Sequence, residues 1–199
     1  MQLGFYFNQT RCTGCDACTI ACKDWNEYPL GSEPANWRWV VEIEAGKYPD
    51  LSVSYLALSC LHCERAACVD ACPAGAIRKR KEDGIVIVDR EACMGRDQCG
   101  AMCDAVCPYG APRFGPEPNA RMQKCDLCID RWAEGKLPIC VMGCPMRALD
   151  AGDIEDLRAK YGQGTEAIGF QYSEATRPSI VTLAAIRSAS TAARGPCGQ

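Results

Sequence analysis

Arg11-Cys-Thr-Gly-Cys-Asp-Ala-Cys-Thr-Ile-Ala-Cys22 is the stretch on which the fold turns, with Cys12, Cys15, Cys18 and Cys22 spaced C-x2-C-x2-C-x3-C. Three thiolates on a loop of that pitch converge on one face of an iron–sulfur cubane and leave one iron without a ligand. The fourth cysteine lies on the helix leaving the loop, and in two-cluster ferredoxins it ligates the neighbouring cluster. Outward from this stretch come three more groups: Cys60-x2-Cys63-x4-Cys68-x3-Cys72-Pro73, Cys93-x5-Cys99-x3-Cys103-x3-Cys107-Pro108 and Cys125-x2-Cys128-x11-Cys140-x3-Cys144-Pro145. Three of the four groups end in Cys-Pro, where proline suits the turn because it supplies no amide and fixes its own φ. Cys197 stands alone and reads as a free thiol.

The chain has 199 residues and 17 cysteines, enough for one domain or two small ones with a modest apolar core. Cysteine at this density fits a disulfide scaffold, zinc sites or iron–sulfur clusters. The opening Met-Gln-Leu-Gly-Phe-Tyr-Phe has neither the basic nor the apolar region of a secretory signal, so a disulfide framework is not expected. The apolar run Ile180 to Ile186 is too short to cross a bilayer, and the expectation is a soluble chain with no export address of its own. Structural zinc favours paired C-x2-C knuckles, often with histidine. Groups one to three do not split that way, and the chain has 1 histidine; group four alone resembles a zinc ribbon. The net charge of −3 gives no sign of a nucleic-acid partner. The basic run Arg78-Lys79-Arg80-Lys81, followed by Glu82 and Asp83, reads as a solvated turn face.

Leu3 to Phe7, Trp37 to Ile43, Leu51 to Leu58 and Gly84 to Val88 read as strands leading into the four-cysteine groups. Asp153 to Tyr161, with an N-cap aspartate, an apolar stripe and Gly162 at its end, reads as a helix. From Gln163 onward, a Ser-, Thr-, Ala- and Gly-rich stretch without periodicity reads as an extended arm with no core of its own, laid against a partner. The expected class is α+β: two ferredoxin-like halves of short strands and helices around clusters, plus that arm.

Several motifs resemble the iron–sulfur subunit of dimethyl sulfoxide reductase: Arg11-Cys-Thr-Gly-Cys15, Ala21-Cys-Lys-Asp24, Ser59-Cys-Leu-His-Cys63 and Asp83-Gly-Ile-Val86. So do Cys107-Pro-Tyr-Gly-Ala-Pro112, Lys124-Cys-Asp-Leu-Cys128, Ala133-Glu-Gly-Lys136, Pro138-Ile-Cys-Val141 and Cys144-Pro-Met-Arg-Ala-Leu149. The likeness runs from residue 3 to residue 162 and extends to the wider family of four-cluster subunits serving molybdenum or tungsten bis-pterin oxidoreductases. It implies that the first and last groups share one ferredoxin-like half, residues 1–45 and 120–162, and that the middle two occupy an inserted half, 46–119, with 163–199 as the arm. It also implies that the chain holds four [4Fe–4S] clusters. Cys12, Cys15, Cys18 and Cys144 would hold the first, and Cys125, Cys128, Cys140 and Cys22 the second. Cys60, Cys63, Cys68 and Cys107 would hold the third, and Cys93, Cys99, Cys103 and Cys72 the fourth.

Group three departs from the family spacing by four residues. In one register Cys103 and Cys107 keep their places while Cys93 and Cys99 reach across an enlarged loop; the Cys107-Pro-Tyr-Gly-Ala-Pro match favours this one. In the other, Arg96 stands where the second cysteine belongs, and the centre is a [3Fe–4S] cluster. His62, inside a group complete in cysteines, is expected beside a cluster or on the surface rather than on iron. The tryptophans, Trp25 among them, are expected to pack rather than relay electrons.

No nucleophile, acid–base pair, phosphate loop or nicotinamide fingerprint stands out, so the chain is expected to be a non-catalytic relay of single electrons. The resemblance implies a large molybdenum or tungsten bis-pterin catalytic subunit at one end. At the other end it implies a quinone-reactive membrane anchor or a soluble redox carrier. The complex would be cytoplasmic, or periplasmic by co-export with a signal-bearing partner. Rival readings are an electron-transfer subunit of a hydrogenase or formate-oxidising complex, a free polyferredoxin, and a zinc-stapled scaffold.

Overall fold

The computed structural model describes residues 1–27 and 36–185, so Cys197 lies outside the described residues. Along the chain the elements are β1 (Leu3–Asn8), α1 (Ala17–Trp25), β2 (Arg38–Lys47), β3 (Asp50–Ser59), α2 (Ala67–Asp70), β4 (Ile77–Lys79) and β5 (Val86–Val88). There follow α3 (Arg96–Cys99), α4 (Met102–Ala105), α5 (Ile129–Ala133), α6 (Ile139–Met142), β6 (Leu149–Asp153), α7 (Ile154–Tyr161) and β7 (Ile180–Leu183).

β1 is buried along its whole length, because both faces of its sheet are covered. Side chains alternate across a strand. Phe5 and Phe7 therefore enter the main core among the cysteines, while Tyr6 packs on Ile154, Leu157 and Val181 on the opposite side. β1 is the middle strand of the order β6-β1-β7. The strand entering group one thus pairs antiparallel with the strand leaving group four, from Leu3↔Asp153 to Phe7↔Leu149. α7 starts where expected, with the Asp153 carboxylate accepting the Glu155 amide at 3.0 Å, the usual way an N-cap satisfies a free helix amide.

β2 and β3 pair antiparallel from Arg38↔Ser59 to Lys47↔Asp50. The boundary expected at residue 45 falls inside this hairpin. β4 and β5 form a second hairpin, from Ile77↔Val88 to Lys79↔Val86, between groups two and three. The helices carrying cysteines are short, four residues in α2, α3, α4 and α6. α1 and α6 approach closely at Gly143, where an added Cβ would stand 3.0 Å from the Cβ of Ala21. That contact brings Cys22 and Cys140 to the same place in the fold.

The segment after Gly162 differs from the arm expected. Residues 163–185 lie across the chain itself. β7 pairs parallel with β1 from Phe5↔Ile180 to Asn8↔Leu183. Its Ile180-Val-Thr-Leu183 run is β-branched enough for a strand, though too short to stand out in a polar stretch. Just before it, Thr176 and Arg177 accept the amides of Arg65 and Glu64, and Ser179 donates its amide to Leu61 at 3.0 Å. Tyr109 accepts the Ser173 amide at 3.1 Å. The segment therefore ties β1 to the loops of groups two and three.

Ile180 is 4 % exposed, whereas Leu183 in the same strand is 46 % exposed. Ile180→Ala should cost about 2–5 kcal/mol and Leu183→Ala within about 0.5 kcal/mol, read as urea midpoints by circular dichroism.

Candidate metal centres

The cysteines stand in quartets around apolar cavities. Cys12, Cys15, Cys18 and Cys144 line one, beneath Phe7, Val40 and Ala57. Cys60, Cys63, Cys68 and Cys107 line a second, with Leu61, Val86 and Tyr109. Cys72, Cys93, Cys99 and Cys103 line a third, with Ile77, Phe114 and Met122. The remaining four, Cys22, Cys125, Cys128 and Cys140, are all buried, and Cys125 and Cys128 each have Cys22 and Cys140 among their strongest charged neighbours. Each set combines three cysteines of one sequence group with the last of another. Arg96 is not in the lining of the third cavity. Its guanidinium instead donates to the Gly115 carbonyl at 3.4 Å and faces Asp97 at 3.6 Å.

The donor chemistry suits a cluster better than one ion. Four thiolates about 2.3 Å from a single zinc crowd to within about 4 Å of each other. Among the described residues, no three His, Cys, Asp or Glu side chains converge on a single-ion site. The loops curl around the cavities through backbone bends uncommon outside glycine: φ is 62° at Leu127, 51° at Cys128 and 45° at His62. Gly14, at φ 67°, could not carry a Cβ, which would sit 2.3 Å from the Tyr55 ring.

Backbone amides already point at sulfur. Ala111 donates to Cys107 Sγ at 3.4 Å and Ala148 to Cys144 Sγ at 3.3 Å, the same four-residue step after two Cys-Pro turns. Met122 donates to Cys93 Sγ and Leu127 to Cys125 Sγ, both at 3.4 Å. Such bonds stabilise negative sulfur and are among the protein's means of setting cluster potential.

Burial, followed by the neighbouring cysteines, pushes the thiols up: Cys63 and Cys68 to about 12 and Cys103 to about 11. Cys128 rises to about 12 as well, from burial first. Successive quartets are also charged neighbours: Cys18 with Cys140, Cys125 with Cys60, and Cys68 with Cys103. That gives the order Cys12 set, Cys22 set, Cys60 set, Cys93 set.

Residues 51–154 match the family model described as "4Fe-4S dicluster domain". Over 188 residues the protein is 42 % identical to a chain of the anaerobic dimethyl sulfoxide reductase of Escherichia coli, covering 90 % of this chain and 87 % of that one. It is 36 % identical to a subunit of the sulfite dehydrogenase of Allochromatium vinosum, covering 78 % of this chain and 70 % of that one. It is 33 % identical to a formate dehydrogenase iron–sulfur subunit of Wolinella succinogenes, covering 87 % of this chain and 96 % of that one. The protein belongs to the dimethyl sulfoxide reductase family of iron–sulfur subunits. It is an electron-transfer subunit of an oxidoreductase complex.

Several side chains of this iron–sulfur subunit named from the sequence have surroundings that the sequence does not report. His62 is fully buried rather than on the surface. Its Nδ1 accepts the Val86 amide at 3.0 Å, so the ring proton sits on Nε2, which is buried without a partner. Burial, then Lys124 and Lys79, hold its pKa well below the usual histidine value. Lys124, 2 % exposed, lines the Cys60 cavity and donates to the carbonyls of Val86 and Cys125. Lys79, in the run expected to be a solvated face, turns inward to Cys63 O at 2.8 Å and Gln2 Oε1 at 2.7 Å. Arg80 keeps to the acidic turn, 3.0 Å from both Glu82 and Asp83. Trp25 is 43 % exposed, with Arg131 4.6 Å over its ring and Nε1 donating to Asp130 at 2.9 Å.

The raised thiols fix a sign for pH. A thiol whose pKa climbs from 9.0 to about 12 on folding leaves the fold unaffected below about pH 9 and destabilises it as pH rises toward about 12. Iron-stripped chain should lose urea resistance across that window, and Cys63→Ser should flatten the loss, measured by circular dichroism at stepped pH.

Proposed function

We propose that this subunit carries single electrons through four [4Fe–4S] clusters arranged in line. The observation supporting this most directly is the exchange of the last cysteine between groups, which completes each quartet around its own site. A thiolate-held [4Fe–4S] cluster accepts and gives up one electron at a potential that hydrogen bonds, charge and burial adjust. The chain's own part is to hold Cys12, Cys15, Cys18 and Cys144 at one end and Cys72, Cys93, Cys99 and Cys103 at the other. Cys22, Cys125, Cys128 and Cys140 stand next to the first set, and Cys60, Cys63, Cys68 and Cys107 next to the last. Residues 1–45 with 120–162 form one ferredoxin-like half and 46–119 the other, with the arm from residue 163 strapped across both.

Arg96, turned away from the third cavity, supports the register in which group three supplies Cys93, Cys99 and Cys103 and sends Cys107 to the Cys60 set. The fourth centre is then a full [4Fe–4S] cluster and not [3Fe–4S]. The partner proposed is a large catalytic subunit with a molybdenum or tungsten bis-pterin cofactor, on the strength of the three relatives and their complexes. A quinone-reactive membrane anchor or a soluble carrier meets the other end. Among the described residues, no helix is long and apolar enough to cross a membrane. The complex is placed in the cytoplasm, or in the periplasm by export with its catalytic partner.

Purified anaerobically, the chain should contain about sixteen irons and little zinc, stay EPR-silent when oxidised and give a broad coupled signal after dithionite. Zinc in place of iron would sink the electron-transfer reading. An isotropic oxidised signal with fewer irons would move the fourth centre to the Arg96 register. Separately, Cys107→Ser should perturb the cluster of Cys60, Cys63 and Cys68 and leave that of Cys93, Cys99 and Cys103 at its original potential, resolved by redox-poised EPR.

A further inference from the structure

Arg38 is the first residue of β2 and is 3 % exposed. Its guanidinium lies 4.9 Å over the Phe5 ring, and Nη2 donates to Ser59 Oγ at 3.1 Å. Nη1 is buried with no hydrogen-bond partner. A buried arginine normally meets a carboxylate, because an unpaired charge in the interior is costly. The ionisable side chains that couple most strongly to Arg38 are instead four cysteines, Cys140, Cys18, Cys125 and Cys22, whose thiols become thiolates on taking up iron. Cys18 belongs to the quartet with Cys12, and the other three belong to the adjacent quartet. The cation thus sits at the junction of two cavities, with one donor face unpaired.

Arginine keeps its charge throughout the usable pH range, so its influence here is constant. One-electron reduction of a cluster adds a negative charge to the site. A fixed positive charge in a poorly solvated interior stabilises that added charge more than it would in water, and salt screens it little.

We propose that Arg38 is a potential-setting residue: its buried guanidinium is a counter-charge shared by the Cys12 and Cys22 clusters, holding both reduction potentials above the values they would have without it. This rests on the four-cluster reading. The purely structural alternative gives Arg38 only the work of fastening β2 to Phe5 and Ser59, which a neutral side chain could share.

Redox-poised EPR on the cluster-loaded subunit in its complex separates the two, using the parent, Arg38→Gln and Arg38→Lys. Arg38→Gln with the parent's iron content should lower two midpoint potentials by at least a tenfold change in the reduced-to-oxidised ratio, about 59 mV for one electron. The other two should move less than about twofold. Arg38→Lys, which keeps the charge, should hold all four within about threefold. Unshifted potentials in a fully loaded Arg38→Gln, or an equal shift of all four clusters, would overturn the proposal. If Arg38→Gln does not retain its iron, Arg38→Lys decides: potentials held with full iron support the proposal, and a tenfold fall with full iron defeats it. A parent short of about sixteen irons would count against the four-cluster reading, whereas unshifted potentials at full iron count against Arg38 alone.

Discussion

The exchange of one cysteine between sequence groups is the constraint on which the rest of the structure depends. Cys144 joins the set of Cys12, Cys15 and Cys18, and Cys22 joins Cys125, Cys128 and Cys140. The segments of groups one and four must therefore meet. β1 lying against β6 and α1 against α6 are what let them meet. The same exchange between Cys72 and Cys107 joins groups two and three around the β4–β5 hairpin. Helices of four residues have little stability of their own, so convergence of the thiols takes the part that helix packing plays in larger domains.

Gathering thiols in apolar cavities creates an electrostatic difficulty that the chain meets in two ways. Burial lifts Cys63, Cys68 and Cys128 to about 12, so deprotonating them requires something positive nearby. Iron supplies most of that charge, as with any metal whose binding releases thiol protons. The remainder comes from amides such as those of Ala111 and Ala148 and from a few cations drawn inside. Arg38 lies between the Cys12 and Cys22 sets, Lys124 lines the Cys60 cavity and Lys79 stands beside the same set. Each of these three is held in place by a hydrogen bond to a neighbour of the sulfurs: Ser59 for Arg38, and the carbonyls of Cys125 and Cys63 for the two lysines.

The legible part of this protein is the part whose chemistry dictates spacing. Cubane ligation demands particular cysteine intervals, so the four groups and the Cys-Pro turns could be read directly. β1 and the α7 cap could be read because periodicity and capping are local signals. The Arg38 guanidinium was not legible, since an arginine at the start of a strand normally reaches solvent, and only the folded hairpin shows it turned inward. Lys124 sits in a family motif that gives it no role by itself, because that role depends on Val86, thirty-eight residues away. Residues 163–185 read as a loose arm because serine, threonine and glycine carry no periodicity. Their place is set by backbone bonds to Leu61, Glu64 and Arg65, which no side-chain pattern reports.

The junction between the Cys22 and Cys60 sets shows how these devices work together. Cys125 and Cys60 are charged neighbours there, and Lys124 ties Val86 to Cys125 through their carbonyls. Val86 in turn gives its amide to His62, and the His62 carbonyl accepts from Ser179 Oγ and Gln2 Nε2, both at 3.0 Å. One histidine thus connects the segments of group two, the β5 strand, the N-terminus and the strap. Burial and two flanking lysines keep that ring neutral at pH 7. A histidine titrating at this point would place a pH-dependent charge beside the middle of the electron path. Held neutral, it supplies rigidity without a proton to exchange.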